Sequence, residues 1–99
     1  MVHRVLFSAN AVNDLRAIVE YISERNQKRA RTFVATLRDR IIKKLSIFPE
    51  SGTKIGRHRV AVFDNYVAIY ALNPSSGVVS VMMVTEGHRN WRASFEMSD

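Results

Sequence analysis

Two apolar stripes at helical spacing follow one another with only Asn26-Gln27 between them, and this constrains the fold most. In the first, Val12, Leu15, Ile18, Val19 and Ile22 fall on one side at about 100° per residue, opposite Arg16, Glu20, Ser23 and Glu24. The second comprises Ala30, Phe33, Val34, Leu37, Ile41, Leu45 and Phe48, and runs until Pro49 and Gly52 stop it. Helices this close fold back as an αα-hairpin. Neither can bury its stripe on the other alone, so a sheet must lie beneath them.

The rest of the chain supplies that sheet. His3 to Ser8 is short and rich in Val, Leu and Phe, as a strand would be, and Ser8 or Asn10 is placed to cap the first helix. His58 to Phe63 alternates, with Val60 and Val62 set against Arg59 and Ala61. YVAIYAL (Tyr66 to Leu72) and VVSVMMV (Val78 to Val84) are almost continuously apolar, the mark of inner strands covered on part of both faces. Asp64-Asn65 and NPSSG (Asn73 to Gly77) supply the turns. The expected fold is α+β in the order β-α-α-β-β-β: one domain over residues 1–99, with an N-terminal helical hairpin packed on an antiparallel sheet.

Composition narrows function by exclusion. The absence of cysteine removes disulfides, thiolate metal sites and a cysteine nucleophile, and suits a reducing cytoplasm. No apolar run approaches the roughly 20 residues that cross a bilayer, so no membrane association is expected. His3, His58 and His88 are scattered without ligand spacing, so no metal is expected; no Gly-rich phosphate loop or other cofactor motif is present. Ser75-Ser76 has no local base to activate it.

What stands out is positive charge. Fifteen Lys and Arg against nine Asp and Glu give +6, which attracts an anionic partner. The cations group as Arg25, Lys28, Arg29 and Arg31; as Arg38, Arg40, Lys43 and Lys44; as Lys54, Arg57, His58 and Arg59; and as His88, Arg89 and Arg92. On the second helix Ala35 and Ile42 lie roughly 120–140° from the centre of the apolar stripe, beside Arg31 and Arg38. An aliphatic strip bracketed by arginines suits an acidic amphipathic peptide better than a phosphate backbone.

The last strand leads into VTEGHRNWR, Val84 to Arg92, which admits two readings. Glu86, His88, Arg89 and Arg92, helped by Lys54 and Arg57, contain the residue types of a metal-free ribonuclease: a base, an acid and cations for the scissile phosphate. Alternatively Glu86, Gly87, His88, Arg89, Trp91 and Arg92 form a recognition arm, since Trp and Arg are the residues most enriched at interface hot spots.

The order of short motifs resembles the ParE/RelE superfamily of bacterial toxins, the toxic halves of type II toxin–antitoxin pairs. S-x-x-A-x-x-D-L-x-x-I-x-x-Y-I reads here Ser8, Ala11, Asp14, Leu15, Ile18, Tyr21, Ile22. L-x-x-F-P-x-x-G follows at Leu45, Phe48, Pro49 and Gly52; then Arg59, Tyr66, Ile69 and Tyr70; then Val84, Gly87, Arg89 and Trp91. The resemblance implies an acidic antitoxin as partner, with Tyr21, Arg31, Ala35, Arg38, Ile42, Arg57 and Arg59 in its binding surface. It also implies a target. ParE-branch members poison DNA gyrase, whereas RelE-branch members cut mRNA in the ribosomal A site.

The sequence departs from both patterns. Glu86 stands where ParE-like chains carry histidine, Asn90 stands where they carry aspartate, and His88 falls one place past the glycine. The tyrosine that the ribonuclease branch carries after the last strand has no counterpart, Phe95 being the nearest aromatic beyond Trp91. Ser80 is the only polar side chain on the last strand before Thr85, so that strand offers no cation to a phosphate. The expectation is a ParE-like gyrase inhibitor rather than an enzyme, with no sequence-specific DNA binding of its own. The alternatives are a ribosome-dependent mRNA interferase using Lys54, Arg57, Arg59, His88 and Arg89, or a toxin with another target or lost toxicity.

Overall fold

The computed structural model describes residues 2–87 and 91–92. Its elements are β1 (Val5–Phe7), α1 (Ala9–Ser23), α2 (Gln27–Ile47), β2 (Thr53–Ile55), β3 (His58–Phe63), β4 (Tyr66–Leu72) and β5 (Val79–Glu86). The helical hairpin and the α+β class are as expected. Both helices begin at side-chain caps: Ser8 Oγ accepts the Ala11 N–H at 3.1 Å, and Asn26 Oδ1 accepts the Arg29 N–H at 3.0 Å. Asn26 is therefore the start signal of α2 rather than mere linker.

The sheet differs from expectation in two respects. It has five strands in the order β1-β5-β4-β3-β2, because Thr53–Ile55 adds a short edge strand antiparallel to β3. It is also mixed, since β1 pairs parallel to β5 with Val5 opposite Val79. The intervening helices and hairpins carry the chain back to β1 in the same direction, which parallel pairing requires. Pairing between β4 and β5 shifts at Met82: Ile69 faces Met83 while Tyr70 faces Val81.

The main core lies between helices and sheet. Ala11, Leu15, Val34, Leu37, Ile41 and Leu45 meet Ala61, Phe63, Ala68, Tyr70, Val79, Val81 and Val84. Val12, expected on the first stripe, is exposed, while its neighbour Ala11 is fully buried and joins Leu15, Ile18 and Val19 at the core. Phe48, the last member of the second stripe, is the exposed C-cap of α2. A smaller cluster of Val60, Val67 and Ile69, with Ile55, Met83 and Trp91 packed against it, covers the other face of the sheet. β4 is thus buried on both sides, which accounts for its unbroken apolar run. No described helix is long and apolar enough to cross a membrane.

Candidate functional site

Two structural knots account for much of the motif pattern. Ser8 begins the first: its N–H donates to Val81 O at 2.9 Å and its Oγ to Met82 O at 3.1 Å, next to the register shift in β5. Two turns into α1, Asp14 Oδ2 accepts the Val84 N–H at 2.9 Å, while Ala11 is fully buried between them. Burial pushes the Asp14 carboxyl above its ordinary range, and the Val84 hydrogen bond only partly offsets this. These residues fasten α1 to the strand that leads into the C-terminal segment.

The second knot holds the loop after α2. Tyr70 Oη accepts the Gly52 N–H at 2.9 Å, and a Cβ on Gly52 would lie 2.6 Å from that oxygen and 2.8 Å from Val60 O. Arg59, paired with Tyr70 across the sheet, donates from Nη1 to the carbonyls of Glu50 at 3.1 Å and Gly52 at 3.0 Å. Its guanidinium is committed to the fold, a task that the sequence does not reveal.

At the other end of the strands, β5 closes at Glu86, opposite Tyr66, and the Gly87 N–H donates to Asn65 O at 2.8 Å. Asp14, Ile18, Tyr21, Tyr66, Thr85 and Glu86 line a cleft of about 130 Å³ between α1 and this strand end. Tyr21, 58% exposed, stands at its mouth. Glu86 is half-buried and Gly87 exposed. Trp91 packs on the outer-face cluster of Val60, Val67 and Ile69, with the exposed Arg92 guanidinium 5.2 Å from its ring centroid. Both flanks of the segment are thereby fixed to the sheet. His88 and Arg89, the remaining members of the expected arm, lie outside the described residues, as does Phe95.

The described part of the ribonuclease set is not drawn to this end. Lys54 pairs with Arg59 in the β2–β3 ladder, and Arg57 is exposed in the turn beyond. Arg59 shares a row with Tyr70, whereas Glu86 shares one with Tyr66, four residues away along β4. That separation is about 13 Å along the strands alone. Lys54 lies on β2, three strands from β5, which adds roughly 14 Å.

The residues expected to meet an acidic partner are also dispersed. Arg31, Ala35, Arg38 and Ile42 do form one flank of α2, with Arg31, Ala35 and Arg38 exposed and Ile42 half-buried. Arg38 lies over the Phe7 ring at 5.4 Å from its centroid, beside the β1 edge. Tyr21, Arg57 and Arg59 sit at other places on the molecule. No cluster of three or more His, Asp or Glu that could hold a metal ion occurs among the described residues.

Comparison with known proteins gives one family. The model for the ParE toxin of the type II toxin–antitoxin system parDE matches residues 5–91. No curated protein matches significantly. Among solved structures, the chain is similar to one from the chromosomal ParDE toxin–antitoxin system of P. aeruginosa, with TM-score 0.72, 14% identity, and coverage of 86% of this chain and 96% of that one. It is also similar to a chain of the RelBE2 toxin–antitoxin complex from Mycobacterium tuberculosis, with TM-score 0.70, 17% identity, and coverage of 90% and 95%. A mutant of the E. coli toxin RelE in the free state gives TM-score 0.69 at 15% identity, covering 99% and 97%.

Proposed function

Because the chain belongs to the ParE toxin family of type II toxin–antitoxin systems, we propose that it is a cytoplasmic toxin that binds DNA gyrase and is neutralised by an acidic antitoxin. The family match over residues 5–91 carries this reading. The charge of +6 supports an acidic partner, and the similar ParDE and RelBE2 structures are of toxin–antitoxin systems.

Contact with the target is assigned to the segment that leaves β5, through Glu86, Gly87, His88, Arg89 and Arg92. Gly87 bonds to Asn65 and Trp91 packs on the outer face of the sheet, which supports a binding role for the residues at this end of β5. Trp91 serves as the segment's foot on the sheet. The distance between Glu86 and Lys54, and the engagement of Arg59 with two backbone carbonyls, favour binding over RNA cleavage.

Expression in bacteria tests the reading. Growth arrest with induction of the DNA-damage response, relieved by co-expressing the product of the adjacent gene, is the expected outcome. Arrest with rapid cleavage of ribosome-bound mRNA and no DNA damage would move the protein to the ribonuclease branch. Arg89→Glu should abolish arrest while the antitoxin still binds.

A further inference from the structure

Along the flank of α2 that faces β3, two clefts of about 320 Å³ and 370 Å³ meet at Arg40 and Phe63. The first has Phe33 and Leu37 in its wall and Arg29 beside them. The second has Ile47, Phe48 and Val62, which are 48%, 61% and 62% exposed, with Lys43 and Lys44 on its rim. β2 pairs only with His58–Val60, so it does not cover this end of β3. From Arg29 to Phe48 the groove runs about 28 Å, the length of a helix of roughly five turns.

The charge on this groove is one-sided, with a single exception. Arg40 and Lys44 hold their cationic heads 5.8 Å and 5.7 Å from the Phe63 centroid. Among the described lining residues Asp64 is the one acid, and its Oδ2 lies 2.6 Å from Arg40 Nη1, where the two clefts meet. Both side chains of that pair are substantially exposed, at 47% and 77%. Such a pair adds little to stability and is easily exchanged.

We infer that this flank of α2 is the docking groove for an acidic amphipathic helix of the neutralising partner. Asp64 is then an internal stand-in for a partner carboxylate, displaced from Arg40 on docking. The inference rests on the proposed reading that the partner is acidic. The occupant's apolar face would lie on Phe33, Ile47, Val62 and Phe48, and its carboxylates would reach Arg29, Arg40 and Lys44. The opposite flank is the poorer site: Ile42 is half-buried, which leaves Ala35 as the exposed aliphatic side chain between Arg31 and Arg38.

The test is titration calorimetry of the full chain with the purified protein encoded by the adjacent gene, with circular dichroism to check that each variant folds. Arg40→Gln and Lys44→Gln should each weaken binding about 10-fold. Asp64→Asn removes the internal competitor and should tighten binding about 2- to 5-fold. Asn also suits the left-handed backbone there, φ 57°. Ala35→Asp, on the opposite flank, should leave affinity within about twofold. If the Arg40 and Lys44 variants bind like the parent while Ala35→Asp weakens the complex, the groove is wrong and the opposite flank is the docking surface. If the parent chain forms no complex at all, the acidic-partner reading itself falls, and the groove's occupant with it.

Discussion

Asp14 lies on the first helix, yet its Oδ2 holds the Val84 backbone N–H of the last strand. Its folded pKa is raised above the ordinary 3.8, mainly by burial. The folded chain thus binds that proton more tightly than the unfolded chain does. The contribution of Asp14 to stability is most favourable below about pH 4 and declines as pH rises through the raised folded value. Asp14→Asn keeps an acceptor for Val84 without a charge to desolvate, so denaturant unfolding should find it at least as stable as the parent at pH 7, with the difference narrowing toward pH 4. Asp14→Ala leaves the N–H unpaired and should cost about 1–3 kcal/mol. An Asn variant less stable than the parent at pH 7 would contradict this account. Gly52 is bound by space, since a Cβ would meet both Tyr70 Oη and Val60 O closer than atoms can sit. Gly52→Ala should destabilise by about 1–3 kcal/mol, read as a lower Tm. Residue types and motif spacing mark Asp14, Gly52, Arg59 and Tyr70 in the sequence, but their shared task does not show there. The contacts that reveal it span up to 70 residues of chain. Trp91 is the converse case: a lone tryptophan among arginines suggests an interface anchor, and its ring rests on the chain's own sheet.

At the scale of elements, the hairpin is legible from its 3.6-residue period, β3 from its alternation, and β4 and β5 from near-continuous apolar runs between turn signals. β4, Tyr66–Leu72, has the boundaries the sequence suggests. β2 escapes because three residues, Thr53 to Ile55, carry no period, and its ladder ends after Val60. The parallel pairing of β1 escapes for a related reason: its partner, β5, begins 72 residues after Phe7, and nothing local encodes the direction of approach. The helix junction gives a prediction at this scale. Asn26 Oδ1 caps α2 immediately after α1 ends, so Asn26→Ala should cost about 1 kcal/mol and fray the start of α2. Hydrogen exchange should show faster exchange at Lys28 and Arg29 with the rest of α2 unchanged. Unchanged protection would mean that packing alone holds the turn.

For the whole molecule, the two ends of the sheet divide the labour. One end, with Gly52, Arg59 and Tyr70, ties the loop after α2 to the sheet. The other, with Asp14, Tyr66 and Glu86, fastens α1 beside the origin of the segment that reaches Trp91. The proposed target contacts leave from this second end, and the proposed partner groove lies along the flank of α2 that faces β3, close to the Asp64–Asn65 turn. Neutralisation need not cover the target-binding segment if the partner's bulk obstructs gyrase from that flank. In that arrangement Arg92→Glu, at an exposed position, should remove target binding while leaving partner affinity within about threefold. The central claim is that this protein acts by gripping gyrase and not by cutting RNA. The most direct measurement adds purified chain to a gyrase supercoiling reaction, with the Arg89→Glu and Arg92→Glu variants alongside. The account predicts inhibition by the parent chain, with cleaved DNA trapped on the enzyme, and loss of both effects in the variants. Unimpaired supercoiling, together with cleavage of mRNA on programmed ribosomes by the same preparation, would contradict it.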